Sequence, residues 1–180
     1  MDNAPFLTRP PKMPELDRLD LKILDELQRD GRLSLTELGD RIGLSTSPCA
    51  ERVRRLERQG VITGYHARID PQAVGMGLLV FVELTLSSKS GEVFEAVRRE
   101  LLHLPEVLEC HLVSGSFDYL VKARLGGMAD YRDLLASILH KIPVPAQSHS
   151  YVVMEEVKDS TCIALHPGQA LAPSRGRRPS

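Results

Sequence analysis

Residues 34–62, SLTELGDRIGLSTSPCAERVRRLERQGVI, constrain this chain more than any other stretch. Ser34, with Glu37 three residues on, has the spacing of a capping box, which satisfies two amide donors at a helix start. Leu35, Leu38 and Ile42 then share one helical face, and Gly43 can end that helix at little steric cost. A second helix begins near Ser47, with Pro48 in its first turn, where a missing amide hydrogen costs little; Ser45 is a second possible cap. At about 100° per residue, Cys49, Val53 and Leu56 cluster on one side of this helix. Ser47, Glu51, Arg54, Arg55 and Arg58 fall on the opposite side, with Arg52 on the flank. Upstream, Leu16, Leu19, Ile23 and Leu27 trace another amphipathic helix, closed by Gly31. Three short helices with facing apolar stripes form one small core, and the latter two, joined by a tight turn, have the layout of a helix-turn-helix.

An arginine-rich face alone is no more than a solvated charge run, in which Glu51 and Arg55 form an i,i+4 pair worth about 0.3–0.5 kcal/mol. The tight turn, the capping signals and the serine-rich helix start point instead to double-stranded DNA. Arginine binds guanine bidentately in the major groove, discriminating by about 1–3 kcal/mol per good contact. Ser45, Thr46 and Ser47 can hold a phosphate at the helix N-terminus. The preferred base or phosphate contacts are Arg54 and Arg55, then Ser47 and Glu51, with Arg52 and Arg58 on phosphate.

The formal net charge of the 180 residues is −1, so nucleic-acid binding is not written into the whole-chain charge. Between residues 45 and 60, however, four arginines stand against two glutamates, as expected if one helix does the binding. Hydrophobic content of 42% and charged content of 26% fit a soluble globular protein. No apolar run is long enough to span a membrane, and the N-terminus lacks the apolar core of a signal peptide. Cys49, Cys110 and Cys162 are odd in number and far apart, which gives neither a disulfide framework nor a metal site and places the chain in a reducing cytoplasm. Cys49 and Cys110 read as core filler.

The organisation is that of an α+β chain. Residues 1–15, rich in proline, read as a disordered arm, and 16–77 as the helix-turn-helix domain, winged-helix-like in outline. Its connecting strand carries Tyr65, Ala67 and Ile69 in alternation before Pro71. Residues 78–165 form a second module. LLVFVELTL is strand-like, Val93, Phe94, Val97, Leu101 and Leu104 trace a helix, and 107–114 and 118–125 are strands joined by Gly115-Ser116-Phe117. Tyr131, Leu134, Leu135, Ile138 and Ile142 mark a second helix, and SYVVMEEV, 150–157, supplies the last strand. The order β-α-β-β-α-β is ferredoxin-like. Both helices cover one face of the sheet, while the first strand is apolar on both sides, with Leu78, Val80 and Val82 one way and Leu79 and Phe81 the other. The uncovered face is therefore expected to meet a second copy, making an obligate homodimer. Residues 166–180, with Arg175, Arg177 and Arg178, read as a disordered basic tail that adds nonspecific phosphate attraction.

The stretches LDELQRDGRLS, GLSTSPCAERVRRLERQGVITGY, LLVFVELTL, ECHLVSGSFDYLVKARL and SYVVMEEVK resemble the Lrp/AsnC family of bacterial transcription regulators, its leucine-responsive members above all. The resemblance runs over residues 16–163. It implies a sequence-specific regulator whose dimers assemble further, often to octamers, and whose second module binds an amino-acid effector, leucine first, between dimers. It also implies effector roles for Asp118, Met128, Tyr151, Val152 and Val153, and matches a family glycine and aspartate to Gly115 and Asp118. The chemistry is reasonable. Loop amides around Gly115, Ser116 and Phe117 can hold an effector carboxylate in a backbone nest, Asp118 can face its ammonium, and Met128 or Val152 can line an apolar pocket. Asp118 can equally cap its own loop. One departure is IPVPAQS at 142–148, where two prolines stand and the glycine common after the family's proline is missing.

The alternative on the same residues is a low-specificity, nucleoid-associated protein that bends DNA. An enzyme is not expected. The six histidines show no zinc-ligand spacing, and there is no phosphate loop, nucleophile elbow or triad. No cofactor or metal is expected. RNA binding on the sheet lacks its aromatic platform, aromatics being 4% of residues.

Overall fold

Reciprocal side-chain caps set where the first two helices begin. A computed structural model describes residues 14–165; the expected basic tail, and all but the end of the expected N-terminal arm, lie outside the described residues. Two compact units emerge, 14–67 with 159–165, and 68–158.

In the first unit, the Asp17 carboxylate accepts the Leu19 and Asp20 amides, and Asp20 answers the Asp17 amide, so α1 (Arg18–Arg29) starts on a capping box. Ser34 and Glu37 make the same exchange at the start of α2 (Leu35–Ile42). Each cap contributes about 1 kcal/mol. Gly43 ends α2 at φ 79°, in the left-handed region that strains other residues. Gly39 permits the turn to close. A Cβ there would stand 2.6 Å from the Leu44 carbonyl oxygen, yet the Leu44 amide must reach the Gly39 carbonyl at 2.8 Å. α3 (Thr46–Arg58) then begins with Ser45 at the cap position, its hydroxyl making no capping bond. Ile23, Leu38, Ile42, Cys49, Val53 and Leu56 form the core, with Leu16, Leu24, Leu27 and Leu33 packed around it. After α3, the amides of Val61 and Ile62 both return to the Leu56 carbonyl. The expected connecting strand does not form: no strand lies between α3 and Leu78. Tyr65 and Ile69 alternate correctly but stay exposed, because no other strand among the described residues offers that backbone its hydrogen bonds. The unit is closed by the returning chain. Gln28 accepts the Ile163 amide at 2.7 Å and donates to the Ile163 carbonyl at 3.1 Å.

The second unit follows the order β1 (Leu78–Leu86), α4 (Gly91–Leu102), β2 (Val107–Leu112), β3 (Tyr119–Leu125), α5 (Met128–Lys141), β4 (Ala146–Val152). The strands form one antiparallel sheet in the order β2-β3-β1-β4. Val80, Val82, Leu84 and Leu86 of β1 and Tyr119, Val121, Ala123 and Leu125 of β3 meet Val97, Leu101, Leu134 and Ile138 of the helices in a single core.

Three features of this unit differ from expectation. The last strand runs over 146–152, not 150–157, because its register places Ala146 opposite Leu86 and Val152 opposite Val80, leaving β1 no residue to pair beyond Leu78. The apolar YVVM drew the strand too late; the polar AQSH belongs to it because β4 is an edge strand. Cys110 is exposed on the other edge strand rather than buried, whereas Cys49 is buried as expected. The sheet face away from the helices is mixed rather than apolar. Beyond Leu79 and Phe81 it carries Glu83 and Thr85, the register partners Leu120, Lys122 and Arg124, and ion pairs of Lys122 with Glu109 and of Arg124 with Glu156.

Candidate functional site

α3 presents two unlike faces. Cys49, Ala50, Val53 and Leu56 are buried, which fixes the helix against the core. Ser45, Thr46, Ser47, Glu51, Arg54 and Arg58 are exposed. Arg58 reaches back to Glu51 at 3.0 Å, so the pair on this surface is Glu51 with Arg58 and not Glu51 with Arg55. Arg54 is exposed at the centre of this row. The Thr46 hydroxyl stands 3.4 Å from that of Thr36, across the turn between α2 and α3. No side chain caps the start of α3, where the Thr46 and Ser47 amides stand beside three hydroxyl side chains and Pro48 has no amide hydrogen to satisfy; a helix start of this kind can receive a phosphate oxygen.

Arg55 and Arg52 are engaged by acids of α1, which their positions on the helix did not announce. Arg55, one of the two preferred contacts, is drawn to α1 although 39% of its side chain stays exposed: its Nη2 lies 2.5 and 2.6 Å from the two oxygens of Asp20. Arg52 donates to Asp17 at 2.7 Å and to Asp20 at 2.8 Å. The hydrogen bond to Asp17, outweighing the effect of burial, pushes the Arg52 guanidinium above its ordinary range. The physical reason is Asp20, a fully buried carboxylate that must be neutralised where it sits. Sequence reasoning passed over it. The signal was present: Asp20 stands three residues after a capping aspartate and in helical phase with Ile23 and Leu27, an acid within an apolar stripe.

The effector candidates fall into two groups at opposite ends of the sheet. Gly115, Ser116, Phe117 and Asp118 lie in the β2–β3 loop, next to Leu84 through the bond from the Asp118 amide to the Leu84 carbonyl. Met128 follows β3 at its far end, and Tyr151, Val152 and Val153 lie beside Phe81, Val80 and Leu79 at the start of β1. The 7 residues of β3 separate the groups, about 20 Å at the usual rise per strand residue.

Asp118 itself is occupied. Its Oδ2 accepts the Leu86 amide at 2.8 Å and its Oδ1 pairs with Lys89 at 2.8 Å. Burial pulls its carboxyl upward, but Lys89 and the Leu86 amide outweigh that and hold it below the ordinary carboxylate range. Neither expected role, facing an effector's ammonium or capping its own loop, describes these contacts: the carboxylate braces the β2–β3 loop against the end of β1 and against the Lys89 ammonium. Gly115 is exposed, and a Cβ added there would meet nothing within 4 Å. Met128, Tyr151 and Val152 are exposed. Tyr151 feels Glu83 across the sheet, which raises its phenol above the ordinary value.

A cavity of about 340 Å³ lies between α5, the end of β3 and Met76, lined by Leu104, Glu106, Leu125, Asp130 and Asp133 among others. None of the expected effector residues lines it. Its charged groups are three carboxylates, a poor seat for an amino acid's own carboxylate. Among the described residues, no cluster has the make-up of a metal site, and no helix is long and apolar enough to cross a membrane.

Comparison with known proteins matches both units. Residues 16–63 match the model of a winged helix-turn-helix DNA-binding domain, and 79–163 the Lrp/AsnC ligand binding domain. The leucine-responsive regulatory proteins of Escherichia coli K12 and Salmonella typhimurium are each 52% identical over 151 residues, covering 84% of this chain and 92% of theirs. Among solved structures, the L-methionine complex of a Neisseria meningitidis transcriptional regulator superposes with a TM-score of 0.78 at 33% identity, over 83% of this chain and 97% of that one. An AsnC family regulator from Agrobacterium tumefaciens gives 0.80 at 35%, with the same coverage. The feast or famine regulatory protein of M. tuberculosis, complexed with L-methionine, gives 0.75 at 34%, over 82% of this chain and 98% of that one.

Proposed function

This chain belongs to the Lrp/AsnC family of DNA-binding transcription regulators, and from that premise we propose how it reads DNA and where its effector sits. α3 enters the major groove with Arg54 and Arg58 toward bases and phosphates. Ser45, Thr46, Ser47 and Glu51 flank them at the helix start, and two-fold copies read half-sites about one helical turn, or a multiple of it, apart. The observation that carries this reading is the exposed row Ser47, Glu51, Arg54 and Arg58 on a helix whose opposite face is locked into the core.

The effector is an amino acid with an apolar side chain, leucine or methionine, held where copies of the chain meet. About 20 Å separates the two groups of candidates within one chain, too far for one such ligand to touch both. A second copy can bring its loop of Gly115, Ser116 and Phe117 to the Met128, Tyr151, Val152 and Val153 of the first. The open space at Gly115 leaves room for that approach. Asp118 then acts chiefly by shaping the loop. The assembly is a homodimer that builds toward an octamer, working in the cytoplasm beside the chromosome. Effector binding shifts the balance among assemblies and thereby DNA affinity. Relatives of this chain are transcription regulators, and no residue is given a catalytic role.

Calorimetric titration with the twenty amino acids, followed by sedimentation with any binder, tests the effector half. The expected result is binding confined to one or a few apolar amino acids, a shift in sedimentation when they bind, and a dimer or larger particle without them. A monomer at micromolar concentration, or no binding by an intact assembly, contradicts it.

A further inference from the structure

We propose that Asp20 is a positioning residue for DNA recognition, whose buried carboxylate holds Arg52 and Arg55 back from the duplex. This rests on the DNA-facing role given to α3.

Asp20 has no exposed surface. A lone carboxylate in that place would be strongly unfavourable, so the position is tenable only with full compensation. The compensation is the Asp17 amide at 3.0 Å, Arg52 at 2.8 Å and Arg55 at 2.5 and 2.6 Å. Asp17 takes the other share of Arg52 at 2.7 Å. Two acids at the start of α1 thus balance two arginines of α3. The same carboxylate closes the cap of α1 and ties α1 to α3 through the two arginines.

The consequence for recognition lies in what is withheld. Arg55 sits about 60° around the helix from Arg58, close enough to reach the phosphates if it were released. With Asp20 in place it is held. Arg54 and Arg58 then remain to meet DNA in a defined orientation, rather than four guanidinium groups competing for phosphate. Asp20 acts through these arginines and touches no DNA.

The test uses the full chain and two duplexes. One is selected by the wild-type protein from a random-sequence pool; the other is a shuffled sequence of equal length and composition. Affinity for each is measured over a range of salt. Asp20→Asn keeps the shape of the side chain and removes its charge. A released long cation swings to solvent and neutralises a further phosphate. The slope of log affinity against log salt on the shuffled duplex is expected to steepen by about 0.9 for each phosphate newly neutralised. The ratio of selected to shuffled affinity is expected to fall about tenfold or more. Adding Arg55→Met to Asp20→Asn should reverse that steepening by about 0.9 and leave the ratio low. A merely structural role would weaken both duplexes with no steepening, and that result overturns the proposal. Arg55→Met alone keeps Asp20 paired with Arg52 and decides the matter even if Asp20→Asn does not fold. Its salt slope is expected to equal the wild type's, and a slope shallower by about 0.9 would show Arg55 on phosphate and overturn the proposal.

Discussion

Leu56→Ala is expected to destabilise the helix-turn-helix unit by about 2–5 kcal/mol, the usual cost of removing a wholly buried leucine side chain. Leu56 has no exposed surface and sits among Ile23, Leu38, Ile42, Cys49 and Val53. The core is small, and a unit of this size has only about 5–15 kcal/mol of stability in all, so one leucine is a large fraction of it. The backbone role of Leu56 survives the change, because the amides of Val61 and Ile62 bond to its carbonyl. The loss is therefore one of packing alone. Urea denaturation followed by helical circular dichroism should show a much lower midpoint, and DNA binding should fail at temperatures where the wild type binds. A midpoint within a few tenths of a molar of wild type would mean that α3 is not held from behind by this residue.

Asp118→Ala is expected to cost about 1–3 kcal/mol, the range for leaving a buried donor without an acceptor. The side chain is the brace between the β2–β3 loop and the end of β1. Removing it strands the Leu86 amide and leaves Lys89 without its partner. Asp118→Asn should cost less, since an amide oxygen still receives the Leu86 hydrogen. The acid dependence has a definite sign. The folded-state carboxyl titrates below the ordinary value of 3.8 despite its burial, because Lys89 and the Leu86 amide favour the charged form. The stabilisation is thus complete above the unfolded value and fades as pH falls through the lower, folded one. Denaturation curves of wild type and Asp118→Ala should lie well apart at neutral pH and converge in acid. If Asp118 served only an effector, the two proteins would be equally stable at neutral pH without it.

The legible parts of the fold were those governed by short-range rules. The Ser34–Glu37 box, the left-handed Gly43, the apolar stripe of α3 and the strand LLVFVELTL are local patterns, and each appears where periodicity and capping place it. The misplaced features depend on partners distant in sequence. β4 begins at Ala146 because β1 offers hydrogen bonds there, which no local hydropathy announces. The stretch around Tyr65 and Ile69 has strand-like alternation but no neighbouring strand among the described residues. The pairing of Arg55 went unseen for the same reason. A helical wheel counts positions on one helix, and the residue that pairs with Arg55 is 35 positions away on α1. The effector candidates other than Asp118 lie at exposed or half-exposed positions, which their apolar character did not announce. Their division between the two ends of the sheet became visible only with the strand register.

We propose that the outward row of α3 is the surface that meets DNA, and the double replacement Arg54→Ala with Arg58→Ala tests this most directly. Its affinity for a duplex selected by the wild-type protein, and for a shuffled duplex, is measured as a function of salt. The expected result is a loss of about 1–3 kcal/mol on the selected duplex for each arginine that reads a base, with a salt slope shallower by about 0.9 for each that neutralises a phosphate. Denaturation should be unchanged, because both side chains are exposed. Wild-type affinity and slope on both duplexes, in a protein that is fully folded, would contradict it.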